Sequence, residues 1–171
     1  MILEVIEQNQ AALSLYTGLG FHRVRRLVGY EFYPQNAHSH GPDIDRLDDI
    51  DPLIVARLIA TEGEPDLPWM LMPETMAAAT APFQALHLNE IAFAVVADPI
   101  DEKIVIRALL VSKAHRRQGW GSRLLSALEA HFAGRPLVVP AVVPENMAPA
   151  LFGRVGWQRQ TLSQFEMKID F

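Results

Sequence analysis

The chain has 171 residues, of which 50% are hydrophobic and 20% are charged, and these values predict one globular domain with room for a fragment of a second. Its 20 acidic and 15 basic side chains give a net charge of −5, which argues against a nucleic-acid-binding protein because phosphate recognition usually needs a basic excess. The absence of cysteine excludes disulfide frameworks and cysteine nucleophiles and fits a reducing cytoplasm. No apolar run approaches the ~20 residues of a membrane span, and the first residues lack a signal-peptide pattern.

The first 33 residues predict one β-α-β unit. Residues 2–6 form a β-branched run typical of a strand, residues 10–17 show helical apolar spacing that ends at glycines, and residues 21–33 alternate as a strand. Such a unit buries too little apolar surface to be stable alone. We therefore expect it to dock on the rest of the chain or to form part of a two-fold dimer interface, and we favour the homodimer because an open sheet edge invites pairing.

A linker is predicted over residues 34–42, which read PQNAHSHGP. His38 and His40 are too few ligands for a closed metal site, and we expect no bound metal. Residues 43–171 then form the main domain. Residues 44–47 are a candidate first strand, and Asp51 followed by Pro52 predicts a helix start in which Asp51 is the N-cap. The apolar stripe expected on this helix, which ends at Gly63, consists of Leu53, Ile54, Leu58 and Ile59.

The second half of the chain alternates strands and helices. A short helix is predicted over residues 73–79, followed by an antiparallel meander of three strands over residues 83–88, 91–98 and 103–112. An amphipathic helix over residues 121–132 precedes a strand at 137–143, a short helix at 148–155 and a long strand or hairpin at 157–171. Pro140 cannot donate to a β-ladder, so we expect one side of its strand to lack a partner.

An internal repeat relates the two ends of the chain at an offset of 136 residues. Identical or similar residues then coincide in pairs: Ala12 with Ala148, Leu15 with Leu151, Tyr16 with Phe152, Gly20 with Gly156, Phe21 with Trp157 and Arg23 with Arg159. Any two β-α-β units share some of this patterning. The constant spacing of the helix-ending glycine and aromatic residue favours a true repeat.

The stretch LLVSKAHRRQGWGS at residues 109–122 is the most informative motif. A strand runs into a turn with two arginines and two glycines, and the turn opens a helix whose first N–H groups lack intrahelical partners. This pattern predicts an anion cradle, although an ordinary strand-to-helix turn with exposed arginines fits the spacing equally well. It is neither a Walker loop, because no Gly-Lys-Ser/Thr follows, nor a dinucleotide fingerprint, because Leu124 stands at the third glycine.

The turn resembles the pyrophosphate loop of the GNAT superfamily of acyl-CoA-dependent N-acyltransferases. Residues 116–121 are similar to the family's Gln/Arg-x-x-Gly-x-Gly/Ala loop, and residues 145–157 are similar to its Asn-x-x-Ala-x-x-Leu-Tyr-x-x-x-Gly-Phe segment. Residues 9–21 match that segment at every position. The resemblance implies an α/β (α+β) fold with a mixed, mostly antiparallel twisted sheet flanked by helices. It identifies residues 43–171 as a GNAT domain and residues 1–33 as part of a second copy, as in a tandem protein lacking most of its first copy.

The resemblance also implies acetyl-CoA as the co-substrate. In the family, the pantetheine arm lies between two splayed strands, here those of residues 103–112 and 137–143, and the pyrophosphate lies on the loop N–H groups. The implied acetyl-CoA-binding residues are Leu109, Leu110, Val111, Arg116, Arg117, Gln118, Gly119, Trp120, Gly121, Ser122, Asn146 and Phe152. Many members use a tyrosine on the late helix to protonate the leaving thiolate. Phe152 stands at that position and has no proton to give.

The residues that would carry catalysis are not fixed by the sequence. Glu90 and His115 are weak candidates for the base: Glu90 sits at a hairpin joint, and His115 is next to the loop, where a surface histidine is the commoner state. The acidic run Asp43, Asp45, Asp48, Asp49, Asp51 either steers a cationic amine or forms a solvated helix start, and we favour the latter. Trp69, Met70 and Met72 either line a pocket or anchor a loop in the core.

The sequence thus predicts a cytoplasmic N-acetyltransferase that moves an acetyl group from acetyl-CoA to a primary amine of a small molecule or peptide. The alternative is a non-catalytic acyl-CoA-binding or protein-interaction domain with a degenerate fold, which Phe152 favours. Neither nucleic acid nor membrane is expected as a partner.

Overall fold

The computed structural model describes residues 1–34, 45–78, 80–147 and 149–170. Within these residues the strands are β1 Ile2–Ile6, β2 His22–Phe32, β3 Asp48–Ile50, β4 Gln84–Leu88, β5 Ala92–Val96, β6 Ile104–Val111, β7 Leu137–Pro144 and β8 Gln158–Lys168. The helices are α1 Gln10–Gly18, α2 Pro52–Glu62, α3 Pro73–Ala77, α4 Trp120–His131 and α5 Pro149–Arg154. No helix in the described ranges is long and apolar enough to span a membrane.

All described strands belong to one sheet in the order β1-β8-β2-β7-β6-β5-β4-β3. The pairs are antiparallel except β6–β7, which is parallel. The meander β4–β5–β6 is confirmed, because short joints leave room only for antiparallel neighbours. This architecture confirms the mixed, mostly antiparallel sheet flanked by helices.

The first strand of the main domain was misplaced by the sequence pattern. Residues 45–47 are not a strand, and residue 44 lies outside the described residues; the strand is Asp48–Ile50 instead. It pairs with β4 at the sheet edge, with Asp49 opposite Leu86. Two consecutive aspartates do not give the alternation of apolar and polar residues that predicts a strand. This edge strand forms because it pairs with its neighbour, which the sequence pattern does not show. Residues 35–42 of the expected linker also lie outside the described residues.

Helix α2 begins and ends where expected but buries a different face. The Asp51 side chain accepts a hydrogen bond from the Leu53 N–H at 2.8 Å, and the Gly63 N–H donates to the Ile59 carbonyl at 2.8 Å. Leu53 and Ile54 are 45% and 43% exposed, so their expected burial was wrong. The buried residues are Val55, Ala56 and Ile59, which pack on β4, β5 and α3. Both stripes have helical spacing, and only the position of the sheet decides between them.

The N-terminal segment docks inside the sheet of the same chain. β2 lies between β7 and β8, and β1 covers the other edge of β8. A small core of Val5, Leu13, Phe21 and Met167 joins the segment to β8. The segment therefore gains from its own chain the cover that it cannot supply alone. The domain boundaries near residues 33 and 43, and the homodimer, stay predictions.

Candidate functional site

A cleft of about 1100 Å³ opens where β6 and β7 separate. The two strands pair only at Ile104–Leu137 and Val105–Val138, and the ladder ends before Pro140. Along its other edge β7 continues to pair with β2 as far as Pro144. Pro140 has no paired residue on the β6 side, and on the β2 side it falls in the irregularity between the Val28–Val143 and Tyr30–Val139 pairs. Backbone groups of β6 beyond Val105 on this side receive no partner from β7 and face the cleft.

The N-terminus of α4 opens into this cleft. Gly119, the N-cap, has φ +88°, and Arg117 has φ +62°, so the turn alternates in handedness before the helix begins. The Arg123 N–H is the first to bond in the helix, to the Gly119 carbonyl at 3.1 Å. The N–H groups of residues 119–122 thus lack intrahelical acceptors, and the helix dipole adds a partial positive charge. This geometry is an anion-binding cradle.

The two loop glycines have different roles. A Cβ at Gly119 would meet open space, but its φ of +88° strains any other residue there. A Cβ at Gly121 would lie 3.1 Å from Leu151 Cδ1, so this glycine allows α4 to pack closely on α5. Gly121 therefore serves helix packing.

Arg116 holds the loop against the C-terminus of α2. Its guanidinium donates to the Val111 carbonyl at 3.1 Å, to Glu64 Oε1 at 2.7 Å and to the Glu62 carbonyl. Lys113 Nζ donates to the Thr61 carbonyl at 2.9 Å. Both cations thus satisfy terminal carbonyls of α2, where the helix dipole favours positive charge. Arg117 differs, because its exposed guanidinium has no ion pair with any residue that the structure describes.

A stacked ion pair braces the start of α4. The Arg123 guanidinium lies 4.0 Å above the Trp120 ring and donates to both Asp45 carboxylate oxygens, at 2.8 and 2.6 Å. The hydrogen bond from Arg123 lowers the pKa of the Asp45 carboxyl group. Trp120, which lines the cleft, is thereby held in place by a cation–π contact.

Most residues that the resemblance named lie together in the cleft. They are Leu109, Leu110, Val111, Arg116, Arg117, Gly119, Trp120, Gly121, Ser122, Asn146 and Phe152. Gln118 does not line the cleft; its side-chain amide donates to the Ala114 carbonyl at 2.9 Å. His115 lines the cleft, and its Nδ1 is buried without a hydrogen-bond partner among the described residues. Glu90 lies in the β4–β5 turn, exposed and away from the cleft.

Phe152 forms part of the cleft wall and is 3% exposed. Its ring stacks on that of Tyr30 from β2, with centroids 3.9 Å apart and an angle of 10° between the planes. Burial raises the pKa of the Tyr30 hydroxyl. Tyr30 itself does not line the cleft, so the described wall at this point is a phenyl ring without a hydroxyl.

The acidic run near α2 does not line the cleft. Asp45 pairs with Arg123, Asp48 lies near Arg46, Asp49 accepts from Gln84, and Asp51 caps α2. Asp43 lies outside the described residues. The described aspartates of this run are therefore engaged in local hydrogen bonds and ion pairs. Trp69 and Met72 are 44% and 36% exposed and, like Met70, lie outside the cleft, whose wall contains Leu67 and Leu71 instead.

Three arginines that line the cleft, Arg25, Arg107 and Arg154, were missed by sequence reasoning. Arg25, from β2, forms an ion pair with the buried Glu166 and donates to Asp66 Oδ1 at 3.0 Å, which fastens the 64–67 loop to the sheet. Arg107 lies in the middle of β6. It was detectable as the one charged residue within an otherwise apolar strand, whereas nothing local marks Arg25 because its partners are distant in sequence.

The sequence comparison assigns the family. Residues 57–157 match the model of the acetyltransferase (GNAT) family, which is more than half of the chain, and the protein belongs to this family. A search of curated proteins gave no match. Among the described residues no three histidine, aspartate or glutamate side chains are grouped to hold a metal ion.

The fold is shared with solved acetyltransferase structures. A GCN5-related N-acetyltransferase from Kribbella flavida aligns with a TM-score of 0.63 and 16% identity over 99% of this chain and 68% of its own. One from Sphaerobacter thermophilus aligns with a TM-score of 0.62 and 14% identity over 100% and 62%. A functionally unknown protein from Staphylococcus epidermidis gives 0.64 and 14% over 99% and 73%. At such identities the likeness shows the fold alone.

Proposed function

We propose that the protein is a cytoplasmic enzyme that transfers an acetyl group from acetyl-CoA to a primary amine of a small molecule or peptide. The observation that carries this proposal is the direct opening of the β6–β7 cleft onto the free N–H groups of residues 119–122. A chain of the acetyltransferase family with a cleft and an anion cradle in this order has the parts that an acyl-CoA needs.

The residues present fit acyl-CoA in three respects. The cradle and the exposed guanidinium of Arg117 suit a pyrophosphate. The open backbone edge of β6 near Leu109 and Val111 suits an amide-containing pantetheine arm, because the arm can pair with it like a strand. Apolar wall residues such as Leu151 and Phe152 suit the acyl end.

Acyl transfer needs a neutral amine, a path for its proton and a proton for the leaving thiolate. The carboxylates that line the cleft are Glu64 and Asp66, and each is paired with an arginine, Arg116 and Arg25 respectively. His115 is the remaining titratable candidate, with its unpartnered Nδ1 in the cleft wall. Phe152 supplies no proton, so we propose that water carries protons between the reacting groups and His115 or solvent.

A second candidate is a non-catalytic acyl-CoA-binding or interaction domain. Phe152 favours it, because the buried wall position has no hydroxyl. Release of free thiol from acetyl-CoA, measured over a panel of amines, separates the two functions. Thiol release above the rate without amine supports the enzyme, and none with any amine supports the binding domain.

The cradle itself is tested by a charge change at Ser122, which lines the cleft in the first turn of α4. Ser122→Asp places a carboxylate where the pyrophosphate would lie, and we expect the Kd of coenzyme A, measured by calorimetry, to rise at least tenfold. Ser122→Asn is the matched control, because it has the same shape without the charge. We expect it to change the Kd less than threefold.

Thermal unfolding shows whether a change in coenzyme A affinity comes from a loss of stability. A carboxylate in the first turn of a helix favours the dipole, so Ser122→Asp should be no less stable than Ser122→Asn in thermal unfolding. Equal coenzyme A affinity in the two folded variants would remove the assignment of the cradle and, with it, the proposed function.

A further inference from the structure

Arg107 occupies a β-bulge in the middle of β6. Opposite it, Val95 pairs with Ala108 and Val96 pairs with Ile106, so Arg107 has no residue across from it on β5. Because of the extra residue, the even-numbered side chains before and after the bulge point to opposite faces of the sheet. Ile104 and Ile106 pack in the core that includes Leu124 of α4, whereas Ala108 and Leu110 pack in the core of α2 and α3. Bulges of this kind re-aim a side chain, and here Arg107 lines the cleft.

The guanidinium of Arg107 has no partner among the residues that the structure describes. Its Nε is buried and has no hydrogen bond, and no ion pair to Arg107 is formed by the residues that the structure describes. By contrast, Arg25 and Arg116 in the same cleft are each paired with carboxylates. Arg117 and Arg154 are exposed, so water satisfies them. Arg107 as a whole is half-buried, but its buried Nε–H is a charged donor without a partner; leaving such a donor unpaired is costly, and this cost points to an anion supplied by a ligand.

Coenzyme A does not supply that anion in the proposed geometry. Arg107 precedes the end of β6 at Val111 by four residues, or about 13 Å at the rise of a strand, and the cradle lies beyond that end. The phosphates therefore lie at the other end of the cleft, and the pantetheine arm between them is uncharged. The remaining ligand is the acceptor.

We propose that the acceptor is an amine that also carries a carboxylate, of the amino-acid class, and that Arg107 pairs with this carboxylate. The inference rests on the proposed function and adds its substrate class. A single guanidinium neutralises a monoanionic carboxylate through a two-pronged hydrogen bond, whereas a dianionic phosphate needs a second cation. The same positive charge favours the unprotonated amine nearby, which is the form that attacks the thioester.

The remaining charges of the cleft agree with this class. Glu64 and Asp66 are engaged by Arg116 and Arg25, so no free carboxylate among the described lining residues would hold a second ammonium group. A polycationic acceptor would therefore lie beside arginines without compensation.

The experiment uses the full chain saturated with coenzyme A and measures binding of reaction products by calorimetry. The probes are the N-acetyl derivatives of glycine, leucine, phenylalanine and glutamate, each with a free α-carboxylate and each as its primary amide. We expect at least one acid to bind at least tenfold more tightly than its amide. Arg107→Gln should reduce this ratio to near one, and Arg107→Lys should restore part of it. Arg117→Gln, the matched control, should raise the Kd of coenzyme A and leave the ratio unchanged.

The outcomes separate this inference from the proposed function. If coenzyme A binds but no acid is preferred over its amide, or the preference survives in a folded Arg107→Gln variant, the carboxylate-bearing acceptor is overturned and the acetyltransferase remains. If coenzyme A does not bind, both fall. The wild-type comparison of acids with amides needs no substitution, so a misfolded variant does not decide the result.

Discussion

Two β-α-β units of this molecule, the first unit (β1, α1, β2) and the second unit (β7, α5, β8), have nearly the same local geometry. In the first, the Phe21 N–H donates to the Tyr16 carbonyl at 3.0 Å, and in the second the Trp157 N–H donates to the Phe152 carbonyl at 3.0 Å. In each, the two rings have centroids 5.7 Å apart. The glycines before the second aromatic residues have φ +94° and +81°.

The neighbours of the two units differ, and so does their chemistry. Leu151 of α5 packs on Gly121 of α4, whereas its counterpart Leu15 is 59% exposed because none of the described helices covers α1. The hydroxyl of Tyr16 in the first unit lies outside the β6–β7 cleft, while the second unit lines that cleft with the phenyl ring of Phe152. The local sequence therefore determines the turn, whereas the chemistry available to each unit depends on what packs against it.

The sheet joins the two units by exchange of strands. β1 of the first unit pairs with β8 of the second, and β7 of the second pairs with β2 of the first. The partners are also similar in position: Ile2 lies opposite Lys168, and Val138 lies opposite Glu31. β2 and β8 pair with each other in the centre, so neither unit can be removed without opening the sheet.

The symmetry breaks at Gly29, and the largest expected effect lies there. Its ladders to β7 and β8 are both irregular between Val28 and Tyr30, and a Cβ would lie 2.7 Å from the Val139 carbonyl oxygen and 2.9 Å from the Ala141 nitrogen. We expect Gly29→Ala to lower the free energy of unfolding by about 3 kcal/mol, because backbone on the neighbouring strand must move. Denaturant titration measures this loss.

Gly153 of the second unit provides the control for that substitution. It lies exposed in α5, and a Cβ there would meet nothing within 4 Å. Gly153→Ala should stabilise the protein by about 0.5–1 kcal/mol, since alanine loses less backbone entropy in a helix. Similar changes in the free energy of unfolding at the two glycines would show that the backbone of β7 does not pack as closely on Gly29 as described.

Substitutions of the two aromatic residues test the chemical difference between the two units. Phe152→Tyr restores a proton donor in the cleft, and we expect the turnover number to rise severalfold, up to about tenfold, with the KM for acetyl-CoA unchanged. Tyr16→Phe removes the hydroxyl of the first unit, which lies away from the cleft, and should leave turnover unchanged. A steady-state assay of thiol release measures both. A large loss of turnover in a stably folded Phe152→Tyr variant would mean that the phenyl ring shapes the site.

The smallest expected effect concerns pH and the strand exchange. Glu4 of β1 lies opposite Glu166 of β8, and Arg25 of β2 lies on the other side of Glu166. Burial and the neighbouring Glu166 raise the pKa of Glu4 from 4.5 to about 7. The folded chain holds this proton more tightly than the unfolded chain does. The contribution of Glu4 to the free energy of unfolding is therefore complete below pH 4.5 and is lost as the pH rises through about 7.

Glu4→Gln removes this titration. We expect the variant to be more stable than the parent at pH 8 by on the order of 1 kcal/mol, a value reduced for the solvent that reaches this half-exposed group. At pH 4 the two proteins should be equally stable. Thermal unfolding from pH 4 to pH 8 measures the difference, and parallel curves for the two proteins would contradict the assignment.

Local sequence patterns predicted most of the fold. Turns, caps and strand alternation depend on neighbouring residues, so α2 was predicted to begin at Asp51 and Pro52 and the β4–β5–β6 meander to follow, as the structure shows. The loop at residues 116–122 was found in the same way. What failed depended on distant partners: β3 is selected by β4, and the buried face of α2 is selected by the sheet.

The separation of β6 and β7 was expected from the family resemblance, whereas the contacts around the cleft were not. A motif gives the residues of the cradle, yet it does not show that Arg116 is occupied by α2 or that Gly121 packs on Leu151. The bulge at Arg107 is also invisible in sequence, because it arises from the register between β5 and β6. Such features follow from how two elements align, and a single strand carries no record of that alignment.

The exchange of strands also governs the order of folding. The Met1 amino group donates to the Ile169 carbonyl at 2.9 Å, so residues 168 apart in the chain must meet before β1 has its partner. Contacts this distant slow folding, because the closing of a long loop costs entropy before any contact compensates for it. During synthesis the first unit leaves the ribosome long before β7 and β8 exist. Its apolar surface therefore stays exposed until β7 and β8 are made. We expect chaperones that bind nascent strands to act mainly on the first 32 residues.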